Sequence, residues 1–362
     1  MIIKIKRKKI YCLLVIAAAM IASLFFYVNP TDNMDFVRYQ RIMYLIKHSN
    51  FNLLSYLTSN FAESHYASST YMFDILIFMI SKLFDNTYIL ARVCILIDYS
   101  IVAYIIYDWK KEEKYSRIEI FYIIFLCPSL LPFIHAVSGL RTSIAACIMG
   151  LVVYNFLYKE RGWGRFCVGA LVSIMFHPVM LFAIPIALLV KFIPNLYVFI
   201  GIFCATFFVS NIVIIFQNSG NAFLQLLARK FFTYTAETQF RSYRFCFYGV
   251  IIFCILFIVY YFTFIRDSDR GNENHPRRKM YSFLICYMGL ILCNTRSYEM
   301  VMRPSHLLGV FAPVLATLLF ENRVKNRGLR IVSMGIRCTV MLICYVVLFM
   351  YVYHYHEFFW RW

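Results

Sequence analysis

LYVFIGIFCATFFVSNIVIIF, residues 196–216, and FCFYGVIIFCILFIVYYFTF, residues 245–264, decide the fold class. Neither carries a charge, and each has about the length a helix needs to cross a hydrocarbon core of roughly 30 Å. In lipid a backbone has no water to bond, so each run must close its own hydrogen bonds. A helix does this. A barrel strand would alternate apolar and polar residues, and neither run does. The rest of the chain leans the same way, with 62% hydrophobic and 15% charged residues over 362 positions. A soluble domain has about half and about a quarter. The reading is an all-α, polytopic membrane protein, with one transmembrane domain over 1–362.

Working outward from those two runs, the further expected crossings are 10–28, 87–107, 118–137, 142–158, 166–176, 179–192, 280–292, 305–320 and 331–353, so that roughly ten to eleven helices span the bilayer. The run 166–176 is too short to cross alone. His177-Pro178 interrupts it, and a helix break is expected there because proline disfavours helical backbone at the residue before it. The run 71–84 is apolar but short and is read as an interfacial or re-entrant helix. The amino terminus, with five basic residues in 1–9, precedes an apolar stretch too long for a cleaved signal. It reads as a permanent first helix with its amino end in the cytoplasm.

The net charge of +18 lies between apolar runs and not on one face of a soluble domain, which argues against nucleic acid as a partner. It follows the preference of basic loops for the cytoplasmic side. On that rule 110–117, 159–165, 266–279 and 323–330 are inside. The segments 29–70 and 217–243, residues 138–141, the neighbourhood of His177 and residues 293–303 are outside. Within the two longer outer segments, 34–48 and 222–232 have the pattern of helices lying along the surface. The twelve cysteines fall mostly inside apolar runs and form no CxxC pair, so they read as buried hydrophobes and not as disulfides or metal ligands.

This topology gathers charged residues from four separated stretches on the outer side. They are Asp35, Arg38 and Tyr39 in Asn33-Met34-Asp35-Phe36-Val37-Arg38-Tyr39, and Arg141 in Ser138-Gly139-Leu140-Arg141-Thr142-Ser143. The others are His177 in Met175-Phe176-His177-Pro178, and Arg296 and Arg303 flanking Ser297-Tyr298-Glu299. Each has a plainer reading. Arg141 could anchor a helix end in headgroups, His177 could be structural, and Asp35 with Arg38 could be a surface ion pair of little worth. Arg296 and Arg303 sit on the side that basic residues avoid, and a bound anion would account for that.

The order of these motifs resembles the EpsG-like branch of the Wzy-type polysaccharide polymerases. The resemblance rests on Asp35-Phe36-Val37-Arg38-Tyr39 after an early helix and on Gly139-Leu140-Arg141-Thr142-Ser143-Ile144-Ala145-Ala146 opening another. Phe176-His177-Pro178-Val179 and then Arg296-Ser297-Tyr298 near a late helix complete it. The sequence departs from the family pattern at Phe36, Thr142 and Pro178, and only one helix precedes Asp35. The resemblance implies a GT-C-like, metal-independent glycosyltransferase without a cofactor, in the bacterial cytoplasmic (inner) membrane. Its substrate would be a polyprenyl-pyrophosphate-linked oligosaccharide, polymerised at the outer face into O-antigen or another surface polysaccharide. A flippase and a chain-length regulator would be its partners. Under it, His177, Asp35 and Arg141 are the expected catalytic residues. Arg141, Arg296, Arg303 and Arg38 would bind the pyrophosphate, and Tyr39, Tyr298 and Glu299 the sugar. The chemistry suits the side chains: arginine grips phosphate bidentately and keeps its charge, and an imidazole or carboxylate can take the acceptor hydroxyl's proton. Asp267-Ser268-Asp269 lies in a basic inner loop and reads as solvated.

Two other functions stay open on the sequence. A flippase for the same lipid-linked glycan would use charges inside apolar segments, and Asp74, Arg92, Asp98 and Arg337 are such charges. A membrane acyltransferase would use His177 or His135 as its base.

Overall fold

A computed structural model describes residues 7–25, 35–59, 62, 70–110, 115–133, 139–193, 201, 218, 220, 225, 244–266, 275–295, 298–321 and 326–355. Among these residues the fold is helical throughout, without strands. The helices are α1 Arg7–Leu24, α2 Asp35–His48, α3 Leu53–Leu57, α4 Tyr71–Leu83, α5 Tyr88–Trp109, α6 Arg117–Leu130, α7 Leu140–Leu157 and α8 Trp163–Phe176. A 3₁₀ turn, Pro178–Phe182, leads to α9 Ala183–Phe192. After it come α10 Arg244–Tyr260 with a π turn Tyr261–Ile265, α11 Pro276–Cys293, α12 Tyr298–Val310, α13 Ala312–Glu321 and α14 Arg327–Tyr355.

Among the described residues four stretches are long and apolar enough to cross a membrane: Tyr88–Trp109, Leu140–Leu157, Phe245–Ile265 and Arg327–Tyr353. The pair Met300–Val310 and Ala312–Phe320, bent by 73°, makes a fifth if it is one span. The expected crossings 166–176 and 179–192 instead form α8 and a 3₁₀ turn running into α9. At 14 residues α8 is about 21 Å long, less than a hydrocarbon core. The expected crossing 196–216 and the outer segment 217–243 lie outside the described residues apart from 201, 218, 220 and 225. So do Arg296, His135 and the pair Asp267 and Asp269, and the side chain of Glu299 is likewise not described.

Local chemistry sets the breaks. Ser116 caps α6 by accepting from Glu119 N at 3.2 Å, while Glu119 Oε2 accepts from Ser116 N at 2.7 Å. Pro128 removes a donor from its last turn, and the helix stops at Leu130. Between α8 and the 3₁₀ turn His177 is extended, with φ −157° and ψ 123°, as expected before Pro178. The α12–α13 bend has a comparable cause. Pro313 cannot donate, and its ring would collide with the carbonyl four residues back, at Gly309.

The core sits around α7, the most enclosed of the four spans. It packs on α5, α8 and α12, and α1 lies along α5. The periphery is α14, whose Ile331, Met334, Leu342, Phe349 and Val352 are all more than half exposed. Large apolar side chains turned outward along a helix of this length are what lipid contact requires. The described cysteines are all free, and Cys94, Cys127, Cys147, Cys246, Cys254, Cys286 and Cys344 are buried.

Candidate functional site

Arg141 is the second residue of α7, so its cation stands at a helix amino terminus, the end whose dipole favours an anion. Two bonds fix the turn that carries it. Ser143 Oγ donates to Asp98 Oδ2 of α5 at 2.5 Å, and Ser173 Oγ of α8 donates to Ala145 O at 2.8 Å. Asp98, Ser143 and Ser173 are fully buried. The Arg141 side chain is itself largely buried, at 14% exposure, with Nη2 4.0 Å from Asp35 Oδ2. Its carbon stands 5.9 Å from the centre of the Tyr39 ring.

Asp35 opens α2, and its Oδ1 receives Arg38 Nη2 at 3.0 Å. The face of α2 below them is well anchored. Phe36 packs on Tyr88 at 5.5 Å, Tyr39 meets Phe73 edge-on at 4.9 Å, and Gln40 Nε2 donates to Thr87 Oγ1 at 3.0 Å. At the other end of the helix Lys47 forms an ion pair with Asp85. Asp35, Arg38, Tyr39 and Arg141 thus meet as the sequence reading expects. Tyr39 takes a different place from the one expected. It is fully buried, so in this conformation its ring supports Arg141 and does not present itself to a sugar. Phe73 of α4 is one of the side chains packed against it.

His177 stands at the break after α8 and is 7% exposed. Its Nε2 lies 2.9 Å from Arg303 Nη1 of α12, and Val179 N approaches Nδ1 at 3.2 Å. A guanidinium has no lone pair, so the Arg303 contact requires an unprotonated Nε2. A neutral ring then carries its proton on Nδ1, and the two contacts cannot both be hydrogen bonds in one tautomer. The shorter one, with the charged donor, is the stronger.

The register of α7 against α8 puts these groups at one end. Phe156 stacks on Phe166 at 4.1 Å, Val152 backs onto Gly169, and Ala145 bonds Ser173. The contacts run down α7 as they run up α8, so the helices are antiparallel. One more turn carries α8 to His177 and α7 back to Arg141. Across α7, Gly150 abuts Val310 and Leu307, and Arg303 lies one to two turns before them on α12, toward the same end. Tyr298 opens α12 and stacks on Phe247 of α10 at 5.9 Å.

Asp98 is the participant that sequence reading assigned only to a transporter. Its signal was present as a carboxylate in an apolar helix, but its partner Ser143 is 45 positions away. Among the described residues no group of three or more His, Cys, Asp or Glu side chains converges as metal ligands would. The arrangement offers three guanidinium groups, those of Arg38, Arg141 and Arg303, with an unprotonated imidazole nitrogen and the Asp35 carboxylate, on elements pinned by buried bonds.

The family model described as the EpsG family matches residues 8–360. No curated protein and no solved structure matches the chain.

Proposed function

The chain belongs to the EpsG family, whose general role is that of a polysaccharide polymerase, and from that premise we propose a membrane glycosyltransferase. It joins polyprenyl-pyrophosphate-linked oligosaccharide repeats into a surface polysaccharide at the outer face of the bacterial cytoplasmic membrane. A flippase supplies the repeats, and a chain-length regulator sets when chains stop. The observation that carries this reading is the convergence of Arg141, at a helix amino terminus, with Asp35, and of His177 with Arg303, at one end of the bundle.

In the proposed step the acceptor sugar's hydroxyl oxygen attacks the anomeric carbon of the growing glycan. The bond from that carbon to the pyrophosphate oxygen breaks, and negative charge builds on the leaving group. Arg141 faces that charge, with Arg38 and Arg296 as further arms. The pyrophosphate also draws Arg303 away from His177, because a phosphate is the stronger partner for a guanidinium. His177 Nε2 is then free to take the hydroxyl proton, so the base is uncovered only when donor is bound. Asp35 is the rival base, but here it is held by Arg38 and stands within 4.0 Å of Arg141. Tyr298 and Glu299 are assigned to binding the sugar.

The test uses purified protein with a defined lipid-linked repeat and no acyl donor. A ladder of joined repeats, with lipid pyrophosphate released, is expected. Transfer of the repeat across vesicle membranes without new glycosidic bonds would instead make the protein a flippase. Activity that appears only when an acyl donor is added would make it an acyltransferase.

A further inference from the structure

A second cationic site lies away from Arg141, between α10, α13 and α14. Arg337 of α14 donates from Nη2 to Tyr260 Oη at 2.9 Å. That hydroxyl donates its own proton to Leu319 O at 2.6 Å and lies 3.3 Å from Ser333 Oγ. Its one proton is spent, so the serine is the donor in that contact. The guanidinium carbon stands 4.6 Å from the Phe320 ring centre and 5.9 Å from that of Tyr260. Tyr260 and Ser333 are buried, and Arg337 is half-buried.

These contacts hold the cation without neutralising it. Among the described residues Arg337 has no carboxylate partner, and its Nε is buried and makes no hydrogen bond. Arg337 follows Arg330 by seven positions, about 10 Å further along the helix. It therefore sits inside the apolar span of α14 and not at its charged start. A guanidinium at that depth is expensive unless it is paired or serves a ligand. The aromatic faces offset only part of the cost.

We propose that this site binds the phosphate of an anionic phospholipid, drawn in from the bilayer between α10 and α14. The lipid, and not a free phosphate, fits the surroundings. Arg337 borders the face of α14 on which Met334 and Leu342 are 61% and 62% exposed, where acyl chains would lie. A water-borne phosphate would have to cross that apolar surface. Tyr260, held by Ser333, aims the cation through Nη2, while the rest of the guanidinium edge meets the phosphate oxygens.

The experiment is native mass spectrometry of the full chain, stripped of lipid in detergent and titrated with phosphatidylglycerol. The wild type is expected to hold one lipid through gentle activation, with binding about tenfold or more weaker in Arg337→Met and only partly restored in Arg337→Lys. Tyr260→Phe removes only the hydroxyl that aims the guanidinium. It is expected to weaken binding severalfold, and it carries the test alone if Arg337→Met does not fold. Inorganic phosphate at the same concentration should not compete. Equal phosphatidylglycerol binding in the wild type and in whichever variant folds overturns the site. Displacement of the bound lipid by inorganic phosphate, or by an equimolar polyprenyl monophosphate, overturns the assigned occupant.

Discussion

Arg141 is held on three sides, by the Asp35 carboxylate, by the Tyr39 ring, and through Ser143 by the buried Asp98. The turn that carries it is pinned by the buried Ser143–Asp98 bond, which takes no part in the proposed reaction. Arg141→Ala is therefore expected to leave the protein inserted and abundant while lowering chain formation by about 10²–10³-fold, the usual cost of removing one preorganised electrostatic group. Arg141→Lys should rescue poorly, because an ammonium cannot form the two-pronged contact. Gel ladders of the surface polysaccharide read this out, and chains of normal length and amount in Arg141→Ala would leave Arg141 as a headgroup anchor. The base gives a second prediction at this scale. If Arg303 covers His177 Nε2 until donor arrives, His177→Gln should lower turnover far more than it raises KM, and Asp35→Asn should do less. The opposite order would move the base to Asp35. The motif residues were legible in the sequence because each stands beside a proline, a glycine or a helix start. The burial of Tyr39 was not, because Phe73, which packs edge-on against it, belongs to a segment read as an interfacial or re-entrant helix.

At the scale of the helices, the tight joints fall where small residues let backbones meet. A Cβ added at Gly309 would lie 2.6 Å from Leu131 N and 2.9 Å from Leu130 C, and backbone cannot rotate away. At Gly150 the neighbour is Val310 Cγ1 at 2.6 Å, a side-chain atom with somewhere to go. Gly164, near the start of α8, has nothing within 4 Å. Gly309→Ala is thus expected to destabilise the detergent-solubilised protein by about 1–3 kcal/mol, and Gly150→Ala by less. Gly164→Ala should be neutral or stabilising by up to about 1 kcal/mol, since alanine suits a helix better than glycine. Melting curves of the three variants check the order, and a Gly309→Ala protein as stable as Gly164→Ala would contradict the close joint between α6 and α12. Pro178 announces the break after α8. The stretch 305–320 reads as one continuous crossing only by hydropathy, which counts apolar side chains; Pro313 within it carries the same kind of signal, because its ring would collide with the Gly309 carbonyl. The long runs gave the helical class readily. The number of full crossings was harder to read, because half-length helices such as α8 and α9 carry the same composition as whole ones.

Across the whole molecule, α7 separates two ends of different character. It has 18 residues, so Leu140 and Leu157 stand about 26 Å apart. At the far end Lys159 pairs with Asp108 at 2.6 Å, Lys110 with Glu119 at 2.6 Å, and Lys279 with Glu160 at 2.8 Å. These ion pairs draw three of the basic segments, around 110, 160 and 279, to one end of the bundle. These are segments that the charge rule puts on one side. The Glu160 pair is exposed and worth well under 1 kcal/mol. The hydrogen bond from Lys279 and the charge behind it hold the Glu160 carboxyl below its ordinary 4.5. A lowered carboxyl contributes stability above that value and loses it as pH falls through the folded one. Any difference in melting temperature between wild type and Glu160→Gln should therefore be small near neutrality and vanish only at pH below 4.5. The compartment at each end is the larger question, and it bears on the proposed reaction, because lipid-linked repeats are to be joined where Arg141 and His177 lie. In a variant without native cysteines, Arg38→Cys marks the Arg141 end through its contact with Asp35, and Glu160→Cys marks the other. A membrane-impermeant maleimide added to intact cells or right-side-out vesicles is expected to label position 38 and not position 160, with both labelled once the membrane is opened. Labelling confined to position 160 would place the arginines and the imidazole in the cytoplasm, and polymerisation at the outer face would have to be abandoned.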